Sequence, residues 1–194
     1  MSEFALYFGL GKDHILDSNG YDHILFVIAL CVVYSIREWK RVLILVTAFT
    51  LGHSITLALA TLDIIRVDAG LIEFLIPVTI LVTAISNIMR KGDSPSGRSL
   101  QLNYAYAAFF GLVHGMGFST YLKSILGRDE SIVTQLLAFN VGLEIGQIII
   151  VAFFLVVGFI LVDLFGVNRR DWKLVISSAI AGIALILVRD TVFW

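Results

Sequence analysis

The sequence predicts an all-α, polytopic membrane protein with six transmembrane helices and both termini on the outer side. Three observations predict it. Of the 194 residues, 58% are hydrophobic and only 15% charged, at a mean hydropathy of +0.92, more apolar surface than a soluble domain of this length can bury. The apolar residues fall in six runs, and the basic residues gather in alternate loops. A net charge of −1 gives no basic patch for nucleic acid. The single Cys31 lies within an apolar run and forms no internal disulfide, which makes it a small packing residue.

A hydrocarbon core of roughly 30 Å needs about 20 apolar residues per helix. The first run, Tyr21 to Ile36, has barely that length after His23, so Asp22 and His23 are expected to dip below the headgroups. Val42 to Leu62, Gly70 to Ile88 and Tyr104 to Ile125 each supply a full crossing. Ile132 to Leu164 is longer than one crossing needs and should tilt or project. Lys173 to Val188 is the sixth, and Trp39, Trp172 and Trp194 read as interfacial anchors. The N-terminus has no long apolar core or small-residue cleavage site, so no removable signal peptide is expected.

The loop charges orient these spans. Arg37, Lys40 and Arg41, then Arg90, Lys91 and Arg98, then Arg169, Arg170 and Lys173 all fall on one side. Lys12, Arg66, Lys123, Arg128 and Arg189 fall on the other. The split is nine to five, and the richer side is expected to be cytoplasmic.

A connector, 91–103, contains the Pro/Gly/Ser-rich GDSPSGRS and separates a first half, 19–90, from a second, 104–190, within a single membrane domain. The halves echo each other. Ala48 to Ile55 (AFTLGHSI) matches Ala138 to Ile145 (AFNVGLEI) at an offset of 90, and Gly20-x-x-His23 matches Gly111-x-x-His114 at an offset of 91. With three helices per half, the pattern fits a 3+3 inverted repeat, an arrangement that places transporter sites near the midplane where repeats meet.

Polar groups within apolar helices mark function when they face the bundle interior. The candidates are Asp22 and His23 on the first helix, His53 on the second, Glu73 on the third, His114 on the fourth and Glu144 on the fifth. At about 1.5 Å per residue, His53 and His114 lie near the midplane, with Asp22, His23 and Glu73 above them. Asn140, Glu144 and Gln147 share one helix face, as do Thr50, His53 and Ser54.

Imidazoles with carboxylates and almost no thiol favour nickel, cobalt or zinc over magnesium, calcium or copper(I). The carboxylates would supply the anionic charge that a divalent ion needs in low dielectric. Each residue also has a blander reading. An intramembrane His can serve as an interhelical hydrogen-bond donor, Asp22 as a helix cap, and Thr50, Ser54 and Asn140 as interhelical polar contacts. His14, in GKDHILD, reads as a surface residue, and Asp163 and the Arg189 and Asp190 pair as interfacial ones.

Five motifs stand in order: GYDHILF, VTAFTLGHSITLALA, IEFLIPVTILVTAISN, FFGLVHGMGFS and AFNVGLEIGQ. Together, over roughly residues 18 to 150, they resemble the HupE/UreJ family of small bacterial membrane proteins, in particular its UreJ-like branch. The resemblance implies a nickel or cobalt permease of the bacterial inner membrane. It also implies that Asp22, His23, His53, Glu73, His114 and Glu144 carry the metal chemistry. The permease branch carries a histidine closer to its Asp-His pair than His14 is to Asp22.

Three functions are therefore open. A permease would pass its metal-ion substrate through the bundle. A membrane-embedded zinc hydrolase would use the same set, with Glu144 as general base and Ser54 or Asn140 at an oxyanion. A sensor or accessory protein would hold an ion without a pathway. The bilayer is the expected environment in each case, no nucleic-acid partner is expected, and a homo-oligomer is compatible with all three.

Overall fold

The computed structural model describes residues 2–17, 20–90, 92, 95, 97–125 and 132–193. Lys91, Arg128 and Trp194, and part of the connector, lie outside the described residues. Among the described residues eight α-helices run in order: α1 (Glu3–Leu16), α2 (Asp22–Cys31), α3 (Trp39–Thr61), α4 (Ala69–Met89), α5 (Gly97–Gly117), α6 (Ser119–Ile125), α7 (Ile132–Gly158) and α8 (Arg169–Asp190). No strand occurs among the described residues.

Local chemistry sets the boundaries. Ser2 caps α1 by accepting from the Ala5 amide, Asp68 caps α4 through Leu71, and Asn168 caps α8 through Arg170. Ser35 and Glu38 form a reciprocal capping box at the short turn Ile36–Glu38 that leads into α3. The chain leaves α3 through Asp63, whose φ of 58° is a left-handed turn that Asp tolerates better than most residues. α7 passes through Gly158 into a π-helical stretch, Phe159–Leu164.

Four helical stretches are long and apolar enough to cross a membrane: Ile36–Thr61, Ala69–Met89, Ile132–Leu164 and Arg169–Asp190. The remaining two expected spans differ in form. The first apolar run yields only the ten-residue α2, preceded by a 14-residue helix, α1, where an exposed segment was expected. The fourth divides at Phe118 into α5 and the short α6. α5 also begins at Gly97, so residues 97–103 of the connector are helical.

The most extensive helix contacts pair α3 with α5, α1 with α7, and α4 with α8. Two of these pairs close in the same way. A Cβ at Gly11 would overlap the carbonyl of Phe139, and one at Gly142 would overlap that of Phe8. Likewise, a Cβ at Gly111 would overlap the carbonyl of Phe49, and one at Gly52 that of Ala108. Further along, Gly146 meets Lys12 and Ile15 where Gly142 met Phe8 and Lys12, and Gly115 meets His53 and Thr56 where Gly111 met Phe49 and His53, so residue numbers rise together and both pairs run parallel, at the close backbone approach that glycine permits.

The three basic loops meet at one end of the bundle. Glu38 pairs with Arg41 and with Arg169, Arg41 donates to the Pro95 carbonyl, and the buried Lys173 donates to the carbonyls of Arg90 and Gly92.

Candidate metal centre

α1 ends where α2 begins, and this break sets two histidines against a third. Ligand atoms of His14, His23 and His53 all lie within 4.8 Å of one another. The ring centroids of His14 and His23 are 4.6 Å apart and those of His14 and His53 6.3 Å. His114 adjoins the group, its ring 5.2 Å from that of His23. His23, His53 and His114 are buried and His14 half-buried.

Hydrogen bonding gives His23 and His114 each a fixed edge and a free one. Asp22 Oδ1 lies 3.1 Å from His23 Nδ1, leaving Nε2 without a partner. A carboxylate in that position fixes ring orientation and raises the basicity of the opposite nitrogen. Thr79 Oγ1 lies 3.1 Å from His114 Nε2, leaving Nδ1 free. His14 Nε2 and both nitrogens of His53 make no well-formed hydrogen bond. Buried polar atoms in native proteins are overwhelmingly hydrogen-bonded, so five unpartnered ring nitrogens on four neighbouring imidazoles leave lone pairs free to bind a metal.

The surrounding shell is aromatic. The Phe118 ring lies tilted 4.0 Å from His14, Phe139 stacks on Phe118 at 4.9 Å, and Phe26 and Phe49 flank His114 at 5.0 and 5.3 Å. Such a wall excludes water and strengthens any electrostatic interaction inside it.

Two clefts approach the cluster, one at His14 and the other at Asp22. One, of about 610 Å³, is lined by Asp13, His14, Asp17, Phe118 and Tyr121. The other, of about 270 Å³, is lined by Asp22, Glu73, Pro77 and Thr191 among others. Pro77 has no N–H, so the carbonyl of Glu73 one turn earlier lacks its helical partner. That cleft is lined by two carboxylate residues, Asp22 and Glu73, both hard oxygen donors.

Of the residues expected from sequence, Asp22, His23, His53 and His114 converge. Glu73 is exposed and lines the second cleft beside Asp22. Glu144 accepts a hydrogen bond from Thr47 at 2.7 Å, six residues along α3 from His53, or about 9 Å of helix rise. Just above it, Gln147 accepts from Thr50 at 2.8 Å. His14 was expected at the surface; α1 instead packs along α7 and carries it into the cluster. The signal for it in the sequence is Gly11-x-x-His14, the same spacing as Gly111-x-x-His114. Thr79, the partner of His114, had no distinguishing signal among the threonines of apolar helices.

Fold and cluster together define a helical membrane protein with a buried imidazole centre, the architecture of a metal-handling protein. The chain belongs to the HupE/UreJ family: the family model described as HupE / UreJ protein matches residues 1–192, nearly its whole length. No curated protein and no solved structure matches it.

Proposed function

We propose that the protein is a permease of the bacterial inner membrane for a divalent transition-metal ion, nickel or cobalt first, with zinc the competing ion. The carrying observation is the convergence of His14, His23 and His53, each with an unpartnered ring nitrogen, and of His114 beside His23 with its own. Imidazole binds such ions at about 2.0–2.1 Å, which brings ligand nitrogens to roughly 3.4 Å from one another. The histidines need to close by about 1 Å to hold an ion. Asp22 orients His23 and lends charge, while Glu73 and Asp22 receive the hydrated ion at the mouth of their cleft. Glu144 acts from the polar ladder of Thr47, Thr50, Gln147 and His53 between α3 and α7, as a step of the pathway rather than a ligand at the cluster.

The two glycine-locked pairs support an inverted repeat. Phe49 and Gly52 stand in α3 as Phe139 and Gly142 stand in α7, offset by 90. Phe8 and Gly11 stand in α1 as Ala108 and Gly111 stand in α5, offset by 100. On this alignment the counterpart of His114 is His14 rather than His23. α1 and α2 then form one discontinuous span and α5 and α6 another, giving six crossings with both termini outside. The cluster lies at the seam between the two pairs, where rocking of one against the other would open it to either side.

The hydrolase alternative lacks a comparable observation. Ser54 donates to the Thr50 carbonyl and Asn140 to the Leu136 carbonyl, so both proposed oxyanion donors are engaged within their own helices.

Calorimetric titration of the purified protein with nickel, cobalt and zinc, together with metal uptake by cells expressing it, tests the permease reading. Saturable binding and increased uptake are expected. Tight binding without uptake would leave a sensor or accessory role in its place, and absence of both would end the metal reading.

A further inference from the structure

A second feature lies at the opposite end of the bundle from the clefts that approach the cluster. A groove of about 210 Å³ runs between α4 and α5, walled by Leu30, Val82 and Phe110 and closed at its basic end by Arg90, Asn103 and Tyr106. Its flanks face outward: Val82, Met89 and Tyr106 are all exposed large hydrophobic residues, so the groove opens toward lipid.

Arg90 differs from its basic neighbours. Arg41 and Arg169 pair with Glu38, and Lys173 donates to backbone carbonyls. Arg90 is half-buried, and no carboxylate pairs with it among the described residues. One Nη donates to Asn103 Oδ1 at 3.2 Å, and Asn103 is itself held by the Tyr34 hydroxyl at 3.3 Å. The Arg90 Nε–H is buried and has no acceptor among the described residues. A guanidinium oriented by neutral groups, with a donor unused, requires an anion.

We propose that this groove binds an anionic phospholipid, its headgroup phosphate on Arg90 and an acyl chain along Val82, Leu30 and Phe110. Val82 lies about 12 Å along α4 from Arg90, so the two mark a polar head and the start of an apolar tail. Basic pockets between helices on the side of the basic loops suit anionic headgroups, whereas a zwitterionic lipid brings its own cation to the guanidinium. The site shares no residue with the histidine cluster and does not depend on the metal reading.

Native mass spectrometry of the detergent-purified protein, with phosphatidylglycerol or phosphatidylcholine added, tests it. The wild type should retain phosphatidylglycerol and release phosphatidylcholine. Arg90→Gln should retain about five-fold less, the scale of one basic side chain at an anionic membrane surface. Arg98→Gln, on the exposed start of α5, should retain it as the wild type does. Val82→Trp, which fills the groove with Arg90 intact, should also lose retention, and it decides the matter if Arg90→Gln does not fold. Undiminished retention in both variants, or equal retention of phosphatidylcholine, would overturn the proposal. Displacement by inorganic phosphate at matched concentration would also overturn it, because Arg90 would then be a plain anion site.

Discussion

His53 is fully buried, and its ring nitrogens make no well-formed hydrogen bond, the Asn140 side chain giving at most a weak one. Leaving two polar atoms so placed costs stability in the metal-free protein, on the order of 1–3 kcal/mol for each buried group left unsatisfied. A residue held at that cost is expected to earn it through a ligand. His53→Leu should therefore leave the metal-free protein as stable as the wild type or up to about 2 kcal/mol more stable, while abolishing metal binding. Thermal unfolding and calorimetry on the same preparation check both halves; a destabilised variant that still binds would remove His53 from the site. Asp22 works through His23, so Asp22→Asn keeps the shape and loses the charge. Weakening of about 10- to 100-fold is expected, the usual range for a lost carboxylate partner. Glu144→Gln keeps an acceptor for Thr47 and should bind metal at the cluster as the wild type does while slowing uptake. Loss of binding in that variant would make Glu144 a direct ligand.

At the scale of elements, α1 shows what the sequence conceals. Its Glu3, Lys12 and Asp13 break the apolar run, and its 14 residues are too few to cross a bilayer, so hydropathy gives no reason to place it in the bundle. What places it is the fit of Gly11 against α7, a backbone contact visible only once the partner helix is known. The membrane class and the presence of Asp22, His23, His53 and His114 as polar groups within apolar runs were legible because hydrophobicity and ionisable residues in apolar runs are local properties. The meeting of His14 with His23 and His53 was not, because it depends on where α1 ends and α2 begins, at Leu16 and Asp22, and on helix packing. The packing yields its own prediction. Gly11→Val puts a branched side chain into the Phe139 carbonyl and should cost at least about 1–3 kcal/mol, as overpacking does. Because α1 carries His14, metal affinity should fall together with thermal stability, and Gly111→Val should act alike through the α3 and α5 pair. Loss of stability from Gly111→Val alone, with Gly11→Val neutral in both assays, would show that α1 does not hold its place against α7.

For the whole molecule, the arrangement turns on which end faces the cytoplasm. The basic loops are tied together by Glu38, Arg41, Arg169 and Lys173 at one end of the bundle, and the clefts that approach the histidines are lined by residues near the opposite ends of α4 and α8. Basic loops are retained on the cytoplasmic side during insertion, so the acidic mouth formed by Asp22 and Glu73 should face outward, where an ion to be imported arrives. Single cysteines test this directly, since the one natural cysteine, Cys31, is buried and should stay silent. Cysteine at Ser2 should react with a membrane-impermeant thiol reagent applied outside intact cells, and cysteine at Arg98 only after the inner face is exposed. The reverse labelling pattern would place the histidine clefts on the cytoplasmic side and turn the proposed importer into an exporter. Labelling of both positions from the same side would break the odd parity between the N-terminus and the connector that an inverted three-plus-three architecture requires.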